Sequence, residues 1–128
     1  MTAPLKLQRH DALRIAELDG KGRGLIAAAP IVAGVLLDVA PVIPMTADDA
    51  SAPGTILYDY PFRWDDPPYV EAIALGAVSM ANHAADANAR FETDIPAKVV
   101  RLYALRDIAA GEEITIDYAI PLWFEEHA

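Results

Sequence analysis

The chain has 128 residues, 54% of them apolar, no cysteine, and a formal charge of −9 with an isoelectric point near 4.5. That length suits one domain with a real core, and the apolar fraction excludes a disordered chain. The lack of cysteine excludes disulfides, thiol nucleophiles and thiolate-bound zinc, and the acidic balance argues against a nucleic-acid backbone as partner.

Ten prolines and seven glycines interrupt the chain every few residues, leaving room for short elements and pointing to a strand-rich fold. Residues 5–7 and 13–17 read as short strands. The glycine-rich stretch at residues 19–24 reads as a turn. A strand at 25–28 follows, then a turn at 30–34 and a strand at 35–42 rich in leucine and β-branched residues. Residues 46–54 are small and polar and read as a surface loop. In residues 56–64, Tyr58, Tyr60, Phe62 and Trp64 take alternate positions, which places four rings on one face of an extended segment. Asp65-Asp66-Pro67-Pro68 ends that segment, and residues 69–76 fit either a short helix or a strand.

Residues 99–105 alternate, with Val100, Leu102 and Ala104 on one side and Val99, Arg101, Tyr103 and Leu105 on the other. Residues 113–119 alternate again, with Ile114 and Ile116 inward. Ile-x-Ala-Gly occurs at Ile31 and at Ile108, each time before a strand, as a recurring turn type and not a repeat array. No linker divides the chain, so one domain over residues 1–128 is expected, with its core at about 13–123. The longest apolar run, residues 31–43, is broken by Gly34, Asp38 and Pro41 and is too short to cross a bilayer. No basic-then-apolar leader opens the chain, so a soluble cytoplasmic protein with no membrane partner is expected. His10, His83 and His127 share no ligand spacing, and no metal is expected.

Three segments carry side chains suited to chemistry. Gly20, Gly22 and Gly24 alternate with Lys21 and Arg23, and glycines let a ligand approach the main chain. An ordinary turn explains the segment equally well, and its spacing matches neither a dinucleotide fingerprint nor a phosphate loop. Asn82-His83-Ala84-Ala85-Asp86-Ala87-Asn88 gathers amides that both donate and accept. Its plainer reading is an ordered turn whose side chains bond nearby backbone. In Gly111-Glu112-Glu113-Ile114-Thr115-Ile116-Asp117-Tyr118, alternation puts Tyr118 beside Ile114 and Ile116, either as core filler or with its hydroxyl aimed into a site.

Taken in order and together, these motifs resemble the SET domain along residues 13–123. Gly22-Arg23-Gly24 matches that family's early Gly-x-Gly. Asn82-His83 followed by Asn88 matches its Asn-His-Ser-Cys-x-Pro-Asn pattern, and the stretch from Gly111 to Tyr118 matches the strand that ends in its catalytic tyrosine. Asp59-Tyr60-Pro61-Phe62 with Leu75-Gly76 is similar to the inserted region of short viral and bacterial members. Ala84, Ala85 and Ala87 stand where the family has Ser, Cys and Pro, and the cysteine-rich flanks of many members are absent.

The resemblance implies a mainly β fold of short strands in small sheets, with few short helices. It also implies a pseudoknot in which the Asn82 loop and the strand ending at Tyr118 pass through one another. It implies methyl transfer from S-adenosylmethionine to the side-chain amine of a lysine in a protein substrate. Lys21, Gly22, Arg23, Gly24 and Asn82 would hold the amino-acid end of the cofactor, and His83 would present backbone groups to the adenine. Trp123 or Phe124 would cover the ring. Tyr60, Phe62, Tyr118 and Phe124 would line a channel entered by the lysine from the opposite face. Tyr118, which also touches the cofactor, and Tyr60 would be the catalytic pair. The acidic chain suits a basic protein or peptide partner, although acidity for solubility alone accounts for the charge as well. Short members also form homodimers. A SET-like module that binds peptide or cofactor without turnover is the alternative, motivated by the three alanines of the Asn-His loop.

Overall fold

The computed structural model describes residues 4–20, 22–50 and 52–118. Strands β2 (Leu13–Leu18) and β3 (Gly22–Ala27) form an antiparallel hairpin that turns at Gly20, whose φ of 74° suits glycine. The expected turn therefore stops earlier than the glycine pattern suggested. Gly22, Arg23 and Gly24 are already strand, paired with Leu18, Glu17 and Ala16. Gly24 is needed for contact, not for turning: a Cβ there would lie 2.8 Å from Asn82 Nδ2 and 2.4 Å from Leu18 Cδ1.

The longest strand, β4 (Leu36–Thr46), serves two partners in succession. Residues 36–41 pair with β9 (Val99–Ala104), and residues 42–46 pair with β6 (Tyr69–Ala74), both antiparallel. The handover falls at Pro41, which has no N–H to give to a ladder. The N-terminal strand forms at β1 (Gln8–Arg9) against Val39 and Asp38, and not at residues 5–7, because pairing with β4 begins at Gln8.

Residues 69–76 take the strand alternative. β6 is hydrogen-bonded on one edge to β4 and on the other to β5 (Phe62–Asp66), which rules out a helix. The aromatic run splits. Phe62 and Trp64 lie in β5 and are buried, as alternation required, whereas residues 55–60 form consecutive tight turns. Those turns are closed by the Tyr58 N–H on Thr55 O and the Tyr60 N–H on Leu57 O, so Tyr58 and Tyr60 leave the sheet.

A 3-10 turn, Ala77–Met80, leads into β7 (Asn82–His83). β8 (Ala89–Asp94) and β9 then form a hairpin, pinned at its turn by the Arg101 guanidinium 2.7 Å from Asp94. The last described strand, β10 (Glu113–Ile116), is the hub: it pairs antiparallel with β3 and parallel with β7 and β8. Ile116 pairs with both His83 and Ala89, so the loop between them passes from one edge of β10 to the other. It is at this crossing that the family resemblance implied a pseudoknot. The two Ile-x-Ala-Gly turns meet: Ile31 and Ile108 exchange hydrogen bonds of 2.9 and 2.8 Å, each donating its N–H to the other's carbonyl.

Leu25, Leu37, Trp64, Val100, Leu102, Ile114 and Ile116 form a continuous buried core between the sheets. Val100, Leu102 and Ala104 face it from β9 while Arg101 and Tyr103 on the other side are only half-buried; Val99 departs from the alternation, being buried on that other side. Among the described residues no helix is long and apolar enough to cross a membrane.

Candidate active site

Segments far apart in the chain converge on one cleft of about 300 Å³. Arg23 comes from the tip of β3, Asp59 and Tyr60 from the turns before β5, Phe62 from the start of β5, Val78 to Met80 from the 3-10 turn, Asn82 from β7, and Tyr118 from the residue pair beyond β10. Five of the residues expected to serve cofactor or lysine, namely Arg23, Tyr60, Phe62, Asn82 and Tyr118, thus line the same space. Gly22 sits exposed on the hairpin and Gly24 lies behind Asn82; neither lines the cleft. His83 stands behind Tyr118. Lys21, Trp123 and Phe124 lie outside the described residues.

The 3-10 turn is fastened from below by Asp38 of β4. This carboxylate is buried and accepts the Val78 N–H at 3.0 Å, giving the turn the N-terminal acceptor that Gly76 has no side chain to supply. Burial pushes the Asp38 carboxyl up from its ordinary value, against the pull of backbone donors and of Arg9. Ser79 Oγ donates to Ala74 O at 2.6 Å and closes the other side of the turn. The result is a short rigid shelf that ends at Asn82.

Each asparagine of the Asn82–Asn88 loop is gripped by one of two consecutive glutamates. Asn88 is 2% exposed; its Nδ2 donates to Glu112 Oε2 at 3.0 Å and to Glu113 O at 2.7 Å, and its Oδ1 accepts the Thr115 N–H at 2.9 Å. Asn82 Nδ2 donates to Glu113 Oε2 at 2.8 Å and, more weakly, to Arg23 O at 3.4 Å. These glutamates were absent from the expected site residues. The signal was present in the pairing of Glu112-Glu113 with two asparagines, but only tertiary structure joins them.

Tyr118 is half-buried and divides its groups between two tasks. Its backbone N–H donates to His83 Nδ1 at 3.2 Å, and the two rings pack with centroids 5.0 Å apart. The same Nδ1 lies 3.9 Å from the Asp117 carboxylate. The Tyr118 hydroxyl faces the cleft, where burial, then the Asp59 carboxylate, then Tyr60 hold its pKa above the ordinary phenol value. Phe62 is fixed by an edge-on contact with Phe91, with centroids 5.0 Å apart. Tyr60 is 43% exposed and stands at the mouth.

The SET domain family matches this chain over residues 22–119. A curated relative from Schizosaccharomyces pombe, named histone-lysine N-methyltransferase, H3 lysine-37 specific, is 33% identical over 118 residues, covering 91% of this chain and 79% of the relative. The crystal structure of a candidate histone methyltransferase from Plasmodium falciparum superposes with a TM-score of 0.71 at 22% identity, covering 91% of this chain and 98% of that one. Family match, strand threading and the convergence of three separated motifs coincide over the same residues, and the chain belongs to the SET-domain family.

Proposed function

We propose that the protein is a protein-lysine N-methyltransferase that uses S-adenosylmethionine. The observation that carries this reading is the meeting of Arg23, Asn82 and the Tyr118 hydroxyl around one cleft with an aromatic mouth. The donor set fits the cofactor. An amide and a guanidinium suit its amino and carboxylate groups, and Gly24 leaves the adjoining main chain bare. When bound, S-adenosylmethionine supplies an activated methyl group on a positively charged sulfur.

The chain's own residues then have to align and desolvate, because direct displacement needs geometry more than covalent chemistry. A free lysine has a pKa near 10.4, so only about one molecule in a thousand is neutral near pH 7.4, a deficit of roughly 4 kcal/mol. Phe62 and Tyr60 give the amine an apolar approach that disfavours its charged form. The Tyr118 phenol, kept protonated by its surroundings, is a fixed polar group at the cleft against which an amine is oriented.

The S. pombe relative's name specifies a histone H3 lysine, and a net charge of −9 favours encounter with such a basic tail. We take the substrate to be a lysine in a basic protein segment. Incubating the protein with methyl-labelled S-adenosylmethionine and a panel of basic proteins, followed by mass spectrometry, tests this. Labelled lysines are expected. Cofactor binding without label on any lysine would instead favour the module that binds without turnover.

A further inference from the structure

The two asparagines of the Asn-His loop form a natural comparison. Asn88 spends its whole amide on the protein: both hydrogen-bonding ends of its side chain are engaged, and it is buried. Asn82 spends its nitrogen alone, on Glu113 and Arg23 O, while its Oδ1 accepts no hydrogen bond among the described residues and the side chain borders the cleft. A carboxylate can only accept, so the Asn82 nitrogen has to face Glu113 and the oxygen has to face away from it. Gly24 makes the arrangement possible, since a Cβ there would come within 2.8 Å of Asn82 Nδ2 and 3.1 Å of Glu113 Oε2.

We propose that Glu113 is a positioning residue for the cofactor: it locks the Asn82 amide so that Oδ1 stands in the cleft as an acceptor for the ammonium group of the cofactor's amino-acid end. The inference rests on the transferase reading above and adds a selection rule to it. With the amide locked, this wall rewards a donor and penalises a ligand that leaves the oxygen unpaired. Freed from Glu113, the amide rotates and offers oxygen or nitrogen indifferently. Because Glu113 is charged, its field also favours a cation at the far side of the amide.

The test is calorimetric binding of S-adenosylmethionine and of its analogue lacking the α-amino group, to wild type, Glu113→Ala and Glu113→Gln. Wild type should prefer the natural cofactor over the analogue by roughly ten- to hundredfold. Glu113→Ala should lose most of that preference by weakening the natural cofactor alone, and Glu113→Gln, which can still accept from Asn82 Nδ2, should restore much of it. Equal weakening of both ligands by Glu113→Ala, or weakening of neither, would overturn the proposal and leave Glu113 a framework residue. Failure of wild type to bind the cofactor at all would overturn the transferase reading itself. A second readout needs no variant. In nitrogen-15 spectra of the ligand-free wild type, an Asn82 side-chain amide proton held by Glu113 should exchange with solvent more slowly than that of an exposed asparagine, and the natural cofactor should shift the signals more than the analogue does. Solvent exchange as fast as that of an exposed asparagine would sink the locked amide.

Discussion

Tyr118 carries two duties that a phenylalanine divides cleanly. Its backbone N–H, which holds His83 in place, survives substitution, whereas the hydroxyl facing the cleft does not. Tyr118→Phe should therefore lower kcat by roughly a hundredfold or more, the usual loss when one oriented polar group is removed from a reacting centre. Affinity for S-adenosylmethionine should change little. Single-turnover rates alongside calorimetry check both halves, and undiminished turnover by the variant would remove the hydroxyl from the chemistry. A pH prediction follows from the same group. A tyrosine ordinarily titrates near 10.0, and burial, with the Asp59 carboxylate and Tyr60 beside it, raises that value for Tyr118. The phenol is therefore neutral throughout the range in which assays are run. The lysine of a free peptide deprotonates with a pKa near 10.4, so log kcat/KM should climb with a slope of about one between pH 7 and 9.5. Tyr118 should add no falling limb there. The sign for stability agrees. A folded-state pKa above the unfolded one leaves the contribution of Tyr118 intact below about pH 10, to be lost as pH rises through the folded value. A rate profile that turned down below pH 9 would mean that this phenol ionises early, contrary to its burial.

Among the elements, the 3-10 turn at Ala77–Met80 decides whether the cleft has a floor. It is pressed onto β4 so closely that a Cβ at Gly76 would lie 2.6 Å from Ala40 Cβ, 2.7 Å from Asp38 Oδ2 and 3.3 Å from Ala40 Cα. Two of those atoms cannot swing aside, because β4 is held by β9 on one edge. Gly76→Ala should destabilise the fold by about 1–3 kcal/mol, the range for forced overpacking, and should displace the shelf that carries Asn82. Denaturant melts should move to lower midpoints, and cofactor affinity should fall in the same variant. How much of this was legible in the sequence depends on the kind of element. Residues 99–105 and 113–116 were readable because one face of each packs into the core, so period two survives in the residues themselves, even though Val99 and Thr115 on the opposite faces are buried as well. The glycine stretch misled because Gly24 serves close packing against Asn82 and not a turn, a need created by a residue 58 positions away. Residues 69–76 stayed ambiguous because a strand paired on both edges looks, in sequence, like any apolar run. The ring pattern at residues 58–64 was half right, since local turns before Pro61 overrode the alternation. Motif resemblance found Arg23, Asn82 and Tyr118. Asp59 and Glu113 lay inside matched stretches without being assigned a role, and Asp38 lay outside them; Asp38 and Glu113 act on the site through Val78 and Asn82, partners that only folding brings near.

At the scale of the whole molecule, two properties belong to no single element. One is the pairing of β10, whose ladders join it to β3, β7 and β8 from stretches far apart in the chain. The cleft therefore exists only in the completed fold, which explains why no isolated segment of this sequence reads as a site. The other is the field of a net charge of −9. If that field guides substrate, it acts on encounter and not on the chemical step, so it should appear in kcat/KM and leave kcat at saturation unchanged. At about 0.01 M salt the screening length is near 30 Å; at 0.15 M it is about 8 Å. For a lysine peptide carrying several flanking lysines or arginines, kcat/KM should fall steeply across that range. A peptide with the same target lysine and neutral flanks should change much less. Measuring both peptides at four or five salt concentrations separates steering from general salt effects on the protein, because the latter would depress both curves together. Parallel curves would show that the acidic surface serves solubility, and that recognition of a basic tail is confined to contacts at the mouth of the cleft.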